Sequence, residues 1–468
     1  MKYSQILIIT FIILLVLWSQ LSTKPSAPSS ALKKMDVYSL NTQLKGFHSN
    51  LPLVVINTHK VTPSHKRYIS ADMSIIQANE NNRTTLEDIP SYQGKITMKV
   101  RGSSSLRYPK KQYVFTTLDE EGNDQDVSLL GMPKEHRWIL HAPYSDKTLM
   151  RNHLVHQKAR EIDPSKYYGV RTKLVELLRV SSKGYYHYEG VYILMEKIKR
   201  DKNRIHVKKV KPSRISNGYI IQLDKDIPSN IPLMFQENRK FSYVYPDPLK
   251  ITKAQKLYIS TYFKEFQNAL YSDDFNNTLS AKHYSNWIDE ESFIVHLLVS
   301  ELFMDADVWM YSEYLHKDSN QKLHLSTVWD FNLAMGNDNY HFMGDYKRFV
   351  YKQHFNGAPY TISAWIQRLM SDEAFYQKVK RKWQELRTSI WSDEAFIRFI
   401  DQTHDRLSQP AKRNYARWKW ILGNFTWPNR QTCQENGKPI YCKTYKSVVE
   451  NDLKKWLLKR LEWMDHNL

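Results

Sequence analysis

The run Glu301–Asn337, ELFMDADVWMYSEYLHKDSNQKLHLSTVWDFNLAMGN, constrains this chain more than any other stretch. Just upstream, Phe293, Leu297, Leu298, Glu301 and Leu302 recur at helical spacing, and Asp289, Glu290 and Glu291 suit the first turn. The spacing predicts a helix over Ser292–Asp305 that runs out near Asp305-Ala306-Asp307. Two short runs follow, Tyr311–His316 and Lys322–Val328, and Asp318-Ser319-Asn320 between them signals a β-hairpin. Asp307 precedes the hairpin and Asp330 follows it, 23 residues later, so two carboxylates face a common space. Such a pair suits phosphoryl transfer, with one carboxylate near the accepting hydroxyl and the other holding Mg²⁺. It also suits acid–base hydrolysis of an anionic polymer. Caps and turn formers account for carboxylates at element ends as well.

A chain of 468 residues has room for two substantial lobes, each with its own core. Hydrophobic residues at 41% and charged residues at 25% exclude a disordered protein, and 14 glycines exclude collagen-like repeats. The net charge of +20 favours anionic partners without choosing among them. No aromatic-plus-basic motif of a nucleic-acid reader occurs, so no specific nucleic-acid partner is expected. Lys2 precedes the apolar run Ile6–Trp18, 13 residues broken only by Thr10. That is short for a membrane span and suited to a signal-peptide core, so residues 1–23 read as a signal peptide or signal anchor. Residues 24–50 read as a flexible polar linker, and the body as exported: secreted, periplasmic or at the cell surface. Cys433 and Cys442 flank Asn436-Gly437, a tight-turn signal that brings the thiols within reach of a disulfide.

Strand patterns dominate residues 51–245: Leu53–Ile56, Lys95–Val100, Gln112–Thr117, Trp138–Leu140, a hairpin of Arg171–Val180 with Tyr185–Met195, and Gly218–Leu223. One clear helix, Thr148–Ile162, interrupts them. Between two of the strands stands Arg101-Gly102-Ser103-Ser104-Ser105, followed by Lys110-Lys111. A small hydroxyl-rich loop with cations beside it suits phosphate, though on pattern alone an ordinary exposed turn is the better reading. Neither GxxxxGK[ST] nor GxGxxG occurs. Beyond Tyr245-Pro246-Asp247-Pro248, residues 246–468 are mainly helical: Ala254–Tyr271, Ser292–Asp305, Ala374–Arg387, Asp393–Leu407 and Val448–Trp463. A sheet-rich lobe followed by a helical one makes the cleft between them the expected ligand site.

Several ordered segments together resemble the CotH family, spore-coat-protein-H-like atypical kinases, over nearly the whole chain after residue 50. They are LPLVVINT from Leu51, MKVRGSSSLRYPKKQYVF from Met98, LLGMP from Leu129, WILHAPYSDKTLMRNHL from Trp138 and GVYILMEKIKRDKNRI from Gly190. DADVWMYSEYLHKD and LSTVWDFNLAMGN follow, then RKWQELR from Arg381 and the terminal WLLKRLEWMD. The resemblance implies an α+β, divergent protein-kinase-like bilobal fold that binds ATP with Mg²⁺ or Mn²⁺ and phosphorylates Ser or Thr of a protein. Asp307 is similar to the family's catalytic aspartate, and Asp330 to its metal-binding aspartate. Lys111, with Lys110 its rival, corresponds to the phosphate-pairing lysine, and Arg101, Ser103 and Ser104 border the phosphates. Glu196 matches either the linker near adenine or a structural ion pair. Tyr144, Asp146, Arg151 and Asn152 are expected to face the nucleotide, and Trp329 to stack on the base or join the core.

Two departures bear on activity. Asp305 stands where the family usually has Asn, adding either a metal ligand or a repelling charge. Ser312 occupies the position of the second Mg²⁺-binding Asn of ordinary kinases, leaving Asn332 or Asp338 to supply that contact. A binding-only surface or coat assembly protein that keeps the fold is therefore the alternative expectation. The basic balance suits an acidic protein substrate.

Overall fold

The computed structural model describes residues 47–77, 83–163, 167–180, 185–224, 241–339, 344–353 and 362–468. The expected leader at 1–23 lies outside them, as does nearly all of the linker expected at 24–50. No helix among the described residues is long and apolar enough to cross a membrane.

Seven strands form a closed barrel: β1 (Leu53–Asn57), β2 (Ile69–Ile76), β3 (Tyr92–Arg101), β4 (Gln112–Thr117), β5 (Arg137–His141), β6 (Thr172–Val180) and β7 (Tyr186–Glu196). The order is β1-β2-β3-β4-β5-β7-β6, and a parallel β1·β6 pairing closes it. Alternate residues point inward, as the pleat requires: Ile96, Met98 and Val100; Tyr113 and Phe115; Trp138 and Leu140; Tyr192 and Leu194. Their neighbours Val114, Ile139, Val191 and Ile193 face outward into the larger core shared with the helices. Where Leu177 and Leu178 pair with Gly190 and Tyr188, β7 bulges. Gly190 there has φ +111°, and an added Cβ would sit 2.5 Å from Asn414 Oδ1, so only glycine lets the helix approach.

A second, four-stranded antiparallel sheet has the order β9-β8-β10-β11, with β8 Tyr219–Leu223, β9 Phe241–Tyr245, β10 Glu313–Lys317 and β11 Leu323–Thr327. Strands from before and after residue 245 thus share one sheet, so strand pairing crosses the expected 245/246 boundary. The helices are α1 (Arg151–Glu161), α2 (Lys253–Tyr271), α3 (Glu290–Phe303), α4 (Ile362–Leu369), α5 (Glu373–Arg387), α6 (Asp393–Arg417) and α7 (Lys455–Asn467). The sheet-rich first half and helix-rich second half make the molecule mixed α+β.

Helix α3 begins where acidic capping predicts: Asp289 accepts from Ser292 N at 2.9 Å. It ends at Met304, whose left-handed φ of +45° turns the chain toward Asp307. Helix α6 runs ten residues past its expected end and contains Pro410. Proline there removes the N–H that would serve the Arg406 carbonyl, and the Asn50 side chain supplies the missing donor at 2.7 Å. The Cys433–Cys442 disulfide is present and brackets a small hairpin, with Asn436 and Gly437 both at positive φ as a two-residue turn demands.

Candidate active site

Asp307 and Asp330 line one cavity of about 520 Å³. Arg101, Gly102, Ser103, Ser104 and Ser105 line it from the barrel side, and Ser312, Trp329 and Asn332 from the hairpin side. Gly102 has φ +119°, and a Cβ on it would fall 2.0 Å from Ser105 Oγ, so the tight serine loop needs glycine. A pocket of about 600 Å³ at Tyr376, Trp383, Arg387 and Asp465 is larger. Its one side-chain carboxylate among the described residues, Asp465, is bound by Arg387 and Trp383 Nε1 at 2.9 Å each.

The turn that carries Asp330 is held from every side. Asp330 adopts a left-handed conformation (φ +67°, ψ +43°), which Asp tolerates better than most residues, and leads into a 3₁₀ turn, Phe331–Leu333. Phe331 N donates to Asn152 Oδ1 (3.0 Å) and Leu333 N to Asp305 Oδ2 (3.2 Å). Arg151 Nε donates to the Ala334 carbonyl (3.0 Å), and Met335 N to the Phe303 carbonyl (2.7 Å). The Asn332 amide, oriented so that its nitrogen has an acceptor, donates to Asp330 Oδ1 at 2.7 Å. On the opposite turn, Asp307 N donates to Asp305 Oδ1 (2.9 Å), and Glu313 accepts from Trp309 N (2.9 Å) while bonding His296 (2.8 Å).

Several expected residues support the cavity without lining it. Asp305 is buried, and both its oxygens accept backbone N–H groups, one on each aspartate-bearing turn. Burial, then the Asp307 carboxylate, pushes it well above the usual carboxylate range. Asp305 thus braces the two turns against each other through backbone N–H groups, with the Asp307 carboxylate close beside it. Asp146 and Arg151 form a buried ion pair (2.7 Å) that continues to Asp452 (3.2 Å). Burial opposes charge on Arg151, but Asp452 and Asp146 more than offset it and hold the guanidinium above its ordinary value. Asn152 and Arg151 thus act on the Asp330 turn from behind. Tyr144 packs between Tyr108 (5.2 Å) and Trp418 (6.0 Å). Glu196 is fully buried against Arg204 (2.9 Å), Arg171 (3.1 Å) and Tyr168 (2.8 Å), which is the ion-pair alternative. Asp338 is buried and outside the cavity lining.

Neither lysine of the pair lines the cavity. Lys111 Nζ donates to the Leu106 carbonyl at 2.7 Å, closing the serine loop. Lys110 is buried, donating to the Val191 carbonyl (2.5 Å) and to Asn414 Oδ1 on α6 (2.8 Å). Burial, opposed mainly by Glu189, pulls its ammonium down to about 7. An unfolded lysine titrates near ~10.4. Below pH ~7 both states hold the proton and the folded protein bears a buried charge; between ~7 and ~10 the folded state alone sheds it, so stability rises with pH across that window. Urea unfolding of wild type and Lys110→Met should therefore diverge in favour of wild type as pH rises from about 6.5 to about 9.5. Parallel profiles would remove Lys110 as the cause.

Sequence reasoning passed over Tyr108, Gln112, His141, Ser145, Asp224 and Trp427, which also line the cavity. Asp224 ends the Gly218–Leu223 pattern and His141 ends the Trp138–Leu140 pattern, a placement that could have flagged both. Trp427 lies in an irregular segment with no such signal. Elsewhere, Asp126, Glu135 and His136 offer ligand atoms within 4.8 Å of one another. They are already paired, His136 with Asp126 (2.7 Å) and Glu135 with Lys199 (2.7 Å).

An α+β scaffold thus brings two hairpin-flanking aspartates, an arginine and a glycine-hinged serine loop to one cavity. The profile of one family, described as CotH kinase protein, matches residues 98–464, and the chain belongs to that family. No curated protein matches it.

Proposed function

We propose that the chain is an exported atypical protein kinase with a divergent kinase-like bilobal fold, transferring the γ-phosphate of ATP to Ser or Thr of a protein. The observation that carries this reading is the convergence of Asp307 and Asp330 on the cavity that the serine loop borders. The residues present fit ATP with Mg²⁺ or Mn²⁺: partly exposed carboxylates and an amide for a hard cation, and Arg101 with small hydroxyl residues for phosphates. The bound cation would neutralise charge on the phosphate oxygens. Asp330 and Asn332 would hold it, Asp307 would orient the accepting hydroxyl, and Arg101 would take the phosphate role expected of Lys111. The leader-like run at 6–18 supports export, and the +20 charge supports an acidic substrate.

Purified protein with labelled ATP, Mg²⁺ or Mn²⁺ and acidic Ser-containing proteins should transfer label. ATP–Mn²⁺ should also raise the unfolding midpoint, by about 2.7 kcal/mol of stability at a hundredfold excess over Kd. The second reading, a non-catalytic assembly protein, draws on one observation: among the described residues no lysine lines the cavity. Absence of both transfer and a nucleotide-dependent shift would establish it over the kinase.

A further inference from the structure

Three adjacent barrel strands each place one outward-facing polar residue on the cavity wall: Arg101 on β3, Gln112 on β4 and His141 on β5. Arg101 and Gln112 are register partners, and one step beyond the Tyr113–Leu140 pair Gln112 meets His141. Arg101 Nη1 donates to Gln112 Oε1 at 3.0 Å. A guanidinium cannot accept, so this bond fixes which end of the amide faces the histidine. The same oxygen lies 3.2 Å from His141 Nδ1, which must therefore carry the ring proton and donate it. Nε2 keeps the lone pair. It is buried, and no group among the described residues bonds it. His141 itself is only 2% exposed.

We infer that His141 determines ligand specificity: its Nε2 accepts a hydrogen bond from a hydroxyl or amino group of the molecule in the cavity. This rests on the nucleotide reading above, and it assigns His141 to the sugar or base. Phosphate oxygens carry no proton to offer and would be repelled by the lone pair, so the phosphates fall to Arg101 and the serine loop. Burial, then Arg101, pulls the ring down to about 3, so Nε2 remains an acceptor at neutral pH. A metal ion also suits an imidazole lone pair. Against that, the positive charge of Arg101 acts on the ring and opposes a second cation there.

Calorimetric titration with Mn²⁺ and four nucleotides tests the inference: ATP, its 2′-deoxy and 3′-deoxy forms, and inosine triphosphate, in which a carbonyl replaces the base amino group. For the wild type, one analogue should bind about tenfold more weakly than ATP, the cost of leaving a buried acceptor unpaired. In His141→Leu that penalty should vanish, ATP and the analogue binding within about twofold of each other. His141→Gln, which can still accept, should restore part of it. Circular dichroism and the unfolding midpoint check that each variant is folded. Equal affinities across the wild-type series overturn the inference without any variant, and so does a penalty that persists unchanged in His141→Leu. Binding of no nucleotide at all by the wild type overturns the nucleotide reading and this inference with it.

Discussion

Asp330→Asn should abolish metal-dependent nucleotide binding and lower label transfer by at least about 100-fold, the order lost when a preorganised charged partner of the transition state is removed. Asparagine has nearly the shape of aspartate, and the bonds that hold the turn come mostly from backbone groups at Phe331, Leu333, Ala334 and Met335. The fold should therefore persist, and the loss should report on charge alone. Asp307→Asn should behave differently. If Asp307 orients the accepting hydroxyl, turnover should fall by roughly 10²–10⁴-fold while the affinity for ATP–Mn²⁺ stays within about twofold. Titration calorimetry and label transfer on the same preparations separate the two. Equal losses of binding in both variants would sink the division of labour, and undiminished transfer in Asp330→Asn would sink the mechanism.

The largest expected loss of stability belongs to Arg151→Met. Arg151 is fully buried and bonds two buried carboxylates, Asp146 and Asp452, as well as the carbonyls of Ala334 and Asp452. Removing the guanidinium leaves both carboxylates uncompensated in the interior, which costs about 3–5 kcal/mol. The deficit should shrink as pH falls. Burial already raises Asp452, and without the arginine its carboxyl would rise further, so acid neutralises the orphaned charge at a pH where the wild type gains nothing comparable. Combining Arg151→Met with Asp146→Asn and Asp452→Asn should recover most of the stability in urea unfolding. It should not recover catalysis, because the Ala334 carbonyl has still lost the donor that fixes the Asp330 turn. A triple variant with full activity would show that this network serves stability only.

Local pattern was legible in the sequence, and long-range closure was not. The hairpin of β10 and β11 lies within two residues of the expected runs, because alternation and the Asp-Ser-Asn turn act locally. The disulfide was legible for the same reason, the Asn-Gly turn defining its own geometry. Strand β2 was missed although Ile69, Ala71, Met73 and Ile75 alternate inward. Ser74 and the polar stretch after residue 76 mask that pattern. Barrel closure by β1 with β6 joins distant segments and leaves no periodic trace. The last ten residues of α6 lie beyond the expected end at Leu407; Pro410 lacks the N–H that would carry the ladder on, and Asn50 repairs the defect from the far end of the described chain.

Of the candidate site, the two aspartates, Arg101 and the serine loop could be found from spacing and family resemblance, since their residue types announce their chemistry. The braces could not. Nothing local distinguishes Asp305, whose bonds run to backbone amides, from a carboxylate that meets a ligand. Glu196 and Lys110 are likewise charged residues whose partners come from elsewhere in the chain, where no local pattern announces them.

Helix α6 fastens the barrel from outside. Arg413 reaches Glu176 at 2.6 Å, Asn414 meets Lys110, and Trp418 Nε1 donates to the Glu189 carbonyl. During synthesis the strands come first and these fasteners come last. Until more than four hundred residues have emerged, the nascent barrel carries Glu176 without its arginine and Lys110 without one of its two hydrogen-bond acceptors. The chain is thus kept from setting early, and its N-terminal half expressed alone should stay loose and exposed to proteases.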